Sequence, residues 1–189
     1  YKVVIGLEVH CELETKSKNF SGAPNTFTEA VNTNVATVDL GLPGVLPVPN
    51  KEAVRKALLT AMALHCTNPD EVIFDRKNYY YADLPKGFQI TQVTKPMGIN
   101  GYLDIMVEGR MKRVDIHQLH LEEDTASLEH YPKYSLIDYN RSGIPLIEIV
   151  TEPCIESADE AVTFLEDLRD VFLFLGVSEA KSNYGQMRC

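Results

Sequence analysis

The sequence predicts an α+β fold with a mostly antiparallel sheet and flanking helices, and three observations carry that prediction. Short runs alternate apolar and polar residues, as in "VVIGLEVHCELET". Two segments with helical spacing stand far apart in the chain. Between them strands follow strands, with no regular β–α–β alternation. At 189 residues the chain is long enough to bury a real core.

Val3, Ile5, Leu7, Val9, Cys11 and Leu13 alternate with Val4, Gly6, Glu8, His10, Glu12 and Glu14. Successive strand side chains point to opposite faces, so the first set meets a core and Glu8 and His10 project together from the other face. The next thirty residues, from Ser21 to Asn50, are rich in Gly, Pro, Asn and Thr and read as long ordered loops. Asn50 is the predicted N-cap of "KEAVRKALLTAMALHC", whose Ala53, Ala57, Leu58, Ala61, Met62 and Leu64 form one apolar stripe. His65 follows as a C-terminal cap.

"VIFDRKNYYYADLPKGFQITQ" is aromatic and punctuated by turns, and the run Tyr79–Tyr81 reads as packing. "GYLDIMVEG" and "MKRVDIHQLHLEE" flank a Gly-centred turn and predict an antiparallel pair. In the second, Gln118, His120 and Glu122 share one face, and His117, Leu119, Leu121 and Glu123 the other. "SLIDYNRSGIPLIEIVTEP" adds a strand. Ser157 and Glu160 form a capping-box signature for a helix with Ala161, Phe164, Leu165, Leu168, Val171, Phe172 and Leu175 on one stripe, and Gly176 stops it.

The formal charge of −9 repels nucleic acid at long range, so such a partner must be held locally or by another part of an assembly. No apolar run is long enough to span a bilayer and no basic-then-apolar leader is present. Four scattered cysteines without C-x-x-C spacing read as reduced thiols, which points to the cytoplasm.

Acids in apolar strands carry the chemistry. Glu148 sits inside "PLIEIV", and a buried carboxylate must be paired or metal-bound. Of the neighbours Glu122 and Glu123, one works while the other orients or caps, because they cannot share a strand face. With His10 and Glu8 these acids make an oxygen-rich set suited to a hard cation such as Mg²⁺. The competing reading pairs each acid separately with a lysine or arginine. Arg76, Lys77, Lys86 and Arg141 are the candidate phosphate contacts, since phosphoryl transfer needs charge neutralised on the moving oxygens. No Walker-type loop is present, so any ATP would have to be bound in another way. Cys11 faces the core, and neither Cys66 nor Cys154 lies in a recognisable nucleophile motif.

The strings "IGLEVH", "LGLPGVLPV", "FDRKNYYYADLPKGFQITQ", "LHLEED" and "SLIDYNRSGIPLIEIVTEP" occur in one order over nearly the whole chain. Together they resemble the family of B subunits of the bacterial aspartyl/glutamyl-tRNA amidotransferases, heterotrimers of A, B and C subunits. The resemblance implies a ligase of protein biosynthesis that uses ATP and Mg²⁺ to phosphorylate the side-chain carboxylate of Glu or Asp misacylated on tRNA. Ammonia, released from glutamine by the amidase A subunit, then displaces phosphate. It also implies a catalytic "cradle" domain like that of glutamine synthetase. Residues 1–189 would be the N-terminal part of that cradle, with the helical and tail domains absent and the piece alone inactive.

By the same resemblance Glu8 and His10 match the family's metal-site motif, Glu122 or Glu123 supplies another ligand, and Glu148 a further one. Glu8, His10 and Glu123 are the implied catalytic residues. Many family members carry four zinc thiolates before the first helix. Here Ser21, Ala23, Ala36 and Asp39 stand at those positions, so no zinc is expected. The implied partners are the A subunit, the small C subunit and misacylated tRNA, with no membrane. Two rivals remain at this level: a scaffold that docks the amidase without chemistry, and a metal-dependent ligase for a free small acid.

Overall fold

In the computed structural model, which describes residues 1–189, the expected strand-rich middle forms between two helices. The elements are β1 (Glu8–Glu12), α1 (Lys51–Ala63), β2 (Ile73–Asn78), β3 (Phe88–Lys95), β4 (Gly98–Val107), β5 (Arg110–Glu123), β6 (Ser127–His130), β7 (Ser135–Asp138), β8 (Pro145–Thr151), α2 (Ala158–Leu175) and β9 (Met187–Arg188). A five-stranded sheet has the order β4-β5-β8-β1-β9, and every pairing in it is antiparallel. β2 with β3, and β6 with β7, form two further antiparallel pairs.

Both helices cover one face of the large sheet. Val9 and Cys11 of β1, Leu119 and Leu121 of β5, and Ile147 and Ile149 of β8 are fully buried there. They join one core with Ala53, Ala57 and Ala61 of α1 and Phe164, Leu168 and Phe172 of α2. Alternation in the strands and a three-to-four-residue spacing in the helices thus meet as two layers. No helix is long and apolar enough to cross a membrane.

The predicted helix signals act locally as expected. Asn50 Oδ1 accepts from the backbone N–H groups of Glu52 and Ala53, at 2.9 and 3.4 Å. Ser157 Oγ accepts from Glu160 N, and Gly176 ends α2 in the left-handed region at φ 62°. The return arm of the capping box is displaced by one residue: Glu160 accepts from the N–H of Glu156, and not from that of Ser157. Glu108 and Gly109 both take positive φ in the β4–β5 turn, which suits a tight hairpin of right-twisted strands.

Several expectations are corrected. Regular alternation places His117 on the core face, yet His117 is exposed beside Glu152. The β5–β8 register shifts between Ile116 and Gln118, a bulge that moves the core positions from Val114 and Ile116 to Leu119 and Leu121. Val3 lies before β1 and is exposed, and so is Met62 on α1. Tyr79, Tyr80 and Tyr81 follow β2 in a turn-rich link, and Tyr80 and Tyr81 face solvent where packing was expected. "SLIDYNRSGIPLIEIVTEP" folds as two strands, β7 and β8, separated by the turn at residues 139–144. His65 takes φ 56° just beyond α1 and stacks its ring on Tyr102, 4.2 Å between centroids, so its side chain does not cap the helix.

Candidate functional site

The face of the large sheet turned away from the helices carries the acids. Residues directly opposite each other in an antiparallel sheet share a face. The register aligns His10 of β1 with Glu148 of β8, and Glu148 with His120 of β5. One step along, Glu12 aligns with Leu146 and Leu146 with Glu122. One step back, Glu8 aligns with Val150 and Val150 with Gln118. Three strands distant in sequence therefore converge on one polar patch.

Within it, one nitrogen of His10 and one carboxylate oxygen each of Glu122 and Glu148 lie within 4.8 Å of one another. His10 Nε2 is 3.1 Å from Glu148 Oε2 and 3.6 Å from Glu122 Oε1. His120 Nε2 lies 3.2 Å from Glu148 and 3.3 Å from Glu122. Thr91 of β3 donates to Glu122 Oε2 at 3.0 Å and fixes that carboxylate further.

Burial pushes the Glu148 carboxyl up, but hydrogen bonds and charge from His10 and His120 prevail and hold it well below the usual carboxylate range. Burial opposes charge on His120, yet Glu122 and Glu148 raise its pKa to about 9. His10 is raised as well, chiefly by its hydrogen bond to Glu148 and against its burial. Two imidazoles thus share two carboxylates, the charge balance a divalent cation would meet by displacing protons. The donor set of one imidazole and two carboxylates fits a hard divalent ion. His120 Nδ1, on the side of the ring away from the two carboxylates, is buried without a protein hydrogen-bond partner.

Of the residues predicted from sequence, His10, Glu122 and Glu148 are brought together. Glu8 shares their face at an exposed position, lining a cleft of about 650 Å³ with His10, Val150 and Thr151. Glu123 is separated from them. Its carboxylate takes Lys86 Nζ on both oxygens, at 2.5 and 2.6 Å, and the N–H of Ile90 at 3.0 Å. Of the two adjacent acids, Glu122 joins the cluster and Glu123 anchors β3 beside β5.

The predicted cations are dispersed. Lys86 is committed to Glu123 and is nearly buried. Arg141 donates to the carbonyls of Thr125 and Ala126, both at 2.9 Å. Arg76 lies over the Phe88 ring at 4.8 Å, and Lys77 is exposed on β2. Ser21, Ala23, Ala36 and Asp39 include no thiol; Asp39 instead accepts from Ala36 N at 2.8 Å and from the fully buried Lys18 Nζ at 3.4 Å.

Sequence reasoning passed over His120, Glu12, Asp124 and Arg188. His120 was detectable, two residues before Glu122 on the same face. The others depend on pairing. Arg188 sits on β9 opposite His10 and donates to Asp124 Oδ2 at 2.7 Å. Burial first, then Asp124, pushes the Glu12 carboxyl up to about 7. Glu12 also borders a second cleft of about 630 Å³ that includes Arg141, Lys181 and Tyr184.

Comparison with known proteins shows the family of the chain. The "GatB/GatE catalytic domain" family matches residues 3–189. The chain is 53% identical over 190 aligned residues to the B subunit of the aspartyl/glutamyl-tRNA(Asn/Gln) amidotransferase of Bacillus licheniformis, covering all of this chain and 40% of that protein. The corresponding proteins of Bacillus pumilus and Geobacillus kaustophilus are 52% and 51% identical with the same coverage. The chain thus spans about two-fifths of the length of these relatives. By both the domain match and these identities, it belongs to the GatB/GatE catalytic domain family.

Proposed function

We propose that this domain carries the phosphoryl-transfer and amide-forming site of a tRNA-dependent amidotransferase acting in protein biosynthesis. Its substrates on this reading are ATP, ammonia and a Glu or Asp side chain misacylated on tRNA, and its partners are an amidase subunit and a small third subunit. The observation that carries the reading is the convergence of His10, Glu122 and Glu148 within 4.8 Å on an open sheet face. Relatives at about half identity are named as B subunits of that enzyme, which supports the substrate class.

The reaction follows from carboxylate chemistry. A carboxylate is a poor electrophile, so one of its oxygens attacks the γ-phosphorus of ATP while the bond to the bridging oxygen breaks and ADP leaves. Ammonia then attacks the acyl carbon of the resulting acyl phosphate, the carbon–oxygen bond to phosphate breaks, and the nitrogen loses a proton to give the amide. Mg²⁺, held by His10, Glu122 and Glu148, would supply Lewis-acid charge for the phosphoryl oxygens. Thr91 and His120 orient the two carboxylates, and Glu8 lies at the mouth of the adjoining cleft. The cleft beside Glu12 is within the size range of nucleotide sites.

The test uses the full-length protein assembled with its amidase and third subunit, with Glu148→Gln beside the unsubstituted form. Expected are Mn²⁺ binding by titration calorimetry and ATP cleavage that depends on Glu-tRNA or Asp-tRNA, both lost in the variant while the fold persists by circular dichroism. Equal metal binding in both forms would remove the cluster from the reaction. Cleavage driven as well by free glutamate would favour a small-acid ligase. Ammonia-dependent turnover surviving in the variant would leave a scaffold.

A further inference from the structure

Phosphoryl transfer needs a cation that is free to meet the substrate, and three of the candidates predicted from sequence, Lys86, Arg141 and Arg76, are engaged with other groups. Lys86 is spent on Glu123, Arg141 on two loop carbonyls, and Arg76 and Lys77 stand on β2, outside the large sheet. Lys18 is fully buried against Asp39 and the Tyr139 carbonyl. Arg188 differs from all of these.

β9 is the edge strand beside β1, and its register sets Arg188 directly across from His10, so both side chains leave the sheet on the same face. The guanidinium then reaches over that face to Asp124, which lies just past the end of β5. Asp124 is itself held: its Oδ1 accepts from Thr125 N at 2.9 Å, and Arg141 Nε approaches the same oxygen at 3.9 Å. Arg188 is thereby pinned at one corner by an anchored carboxylate. Of the five N–H donors on a guanidinium, a single one has a partner within the protein, and about a third of the side chain is exposed. Its charge lowers the pKa of both His10, directly across the strand pair, and Glu12.

We propose that Arg188 is the substrate-binding cation of this site, its unspent N–H donors taking the oxygens of a phosphoryl group held beside His10, Glu122 and Glu148. A planar fork offering parallel donors suits phosphoryl oxygens, and a guanidinium stays charged throughout the reaction. The assignment rests on the metal-centre reading above and adds to it a residue on a different strand. Asp124 is the positioning residue: it aims the fork and does not touch the substrate.

The experiment measures two equilibria separately in the full-length protein. Mn²⁺ affinity is read by titration calorimetry. Inorganic phosphate is then titrated with Mn²⁺ present, and its binding beside the metal is read from paramagnetic relaxation of the phosphorus nucleus. Arg188→Gln should weaken phosphate by about tenfold or more, the scale of a lost charge-assisted pair, with Mn²⁺ affinity within a few-fold of the unsubstituted protein. Arg188→Lys should fall between, retaining charge but not the fork. Asp124→Asn separates binding from packing, because the amide oxygen still accepts from the guanidinium and keeps it aimed while the charge of the ion pair is removed.

Phosphate binding retained in Asp124→Asn and lost in Arg188→Gln supports the proposal. Equal losses in both would make Arg188 a structural partner of Asp124 and overturn it. Phosphate indifferent to Arg188 while Mn²⁺ binds normally overturns it alone. Failure of Mn²⁺ to bind the unsubstituted protein removes the metal centre, and with it the role of Arg188 beside that centre.

Discussion

His120 ties the stability of the metal-free protein to pH. Its ring nitrogen contacts Glu148 and Glu122 at 3.2 and 3.3 Å, and its pKa rises from 6.5 to about 9. A folded-state pKa above the unfolded value gives stability that is fully present below the unfolded value. It is lost as pH rises through the folded one. Each unit is worth 1.36 kcal/mol, so the ion pair contributes about 3 kcal/mol near pH 6 that is gone near pH 10. The depressed carboxyl of Glu148 is the same interaction seen from its other end, so it is counted once. Urea denaturation with a chelator present, at about pH 6 and about pH 10, reads the loss in the unsubstituted protein and in His120→Gln. The difference between the two proteins should shrink by about 3 kcal/mol at the higher pH. Two curves that run parallel from about pH 6 to about pH 10 would refute the assignment of the proton to His120. A cation entering the site displaces that proton, so Mn²⁺ binding near pH 8 should release protons in proportion.

Two further substitutions test the framework around the site. Lys86→Met leaves the Glu123 carboxylate buried with Ile90 N but without its cation, which should cost about 3–5 kcal/mol near neutral pH in denaturant unfolding. Burial already raises the Glu123 pKa against the pull of Lys86, so the variant's deficit should lessen as pH falls and the carboxyl takes a proton; a deficit independent of pH would contradict the buried-charge explanation. Phe172→Ala, at a fully buried position on α2 that joins the core shared with α1 and the sheet, should cost about 3–5 kcal/mol by the same assay, with Mn²⁺ affinity unchanged once the protein is folded.

Elements with strong local signals were legible in the sequence. Asn50, Ser157 and Gly176 act within one turn of their own position, so their roles need no tertiary information. His10 and Glu148 were legible too, because a charged residue inside an apolar strand violates its surroundings. Other features depend on pairing that no local pattern encodes. The β5 bulge reverses which residues face the core, so His117 was assigned to the wrong side. Glu122 and Glu123 are adjacent acids, and their different partners, Thr91 and Lys86, come from β3 and the turn before it. Arg188 stands within a strand of two residues whose only partner is β1, and that strand carries too few residues to show a period.

The strand order has a consequence for when the site comes into being. His10 is more than a hundred residues from Glu122 and from Glu148 in the chain, and β1 must pair with β8, itself paired with β5, before the three side chains can meet. Closing such long loops costs entropy that only the finished sheet repays, so no local segment can capture a cation while the chain is still open. An ion bound there, as proposed, would act as a latch fastened last: it would stabilise the closed sheet by mass action and give nothing to the folding nucleus. Added metal should slow unfolding and leave the rate of folding unchanged.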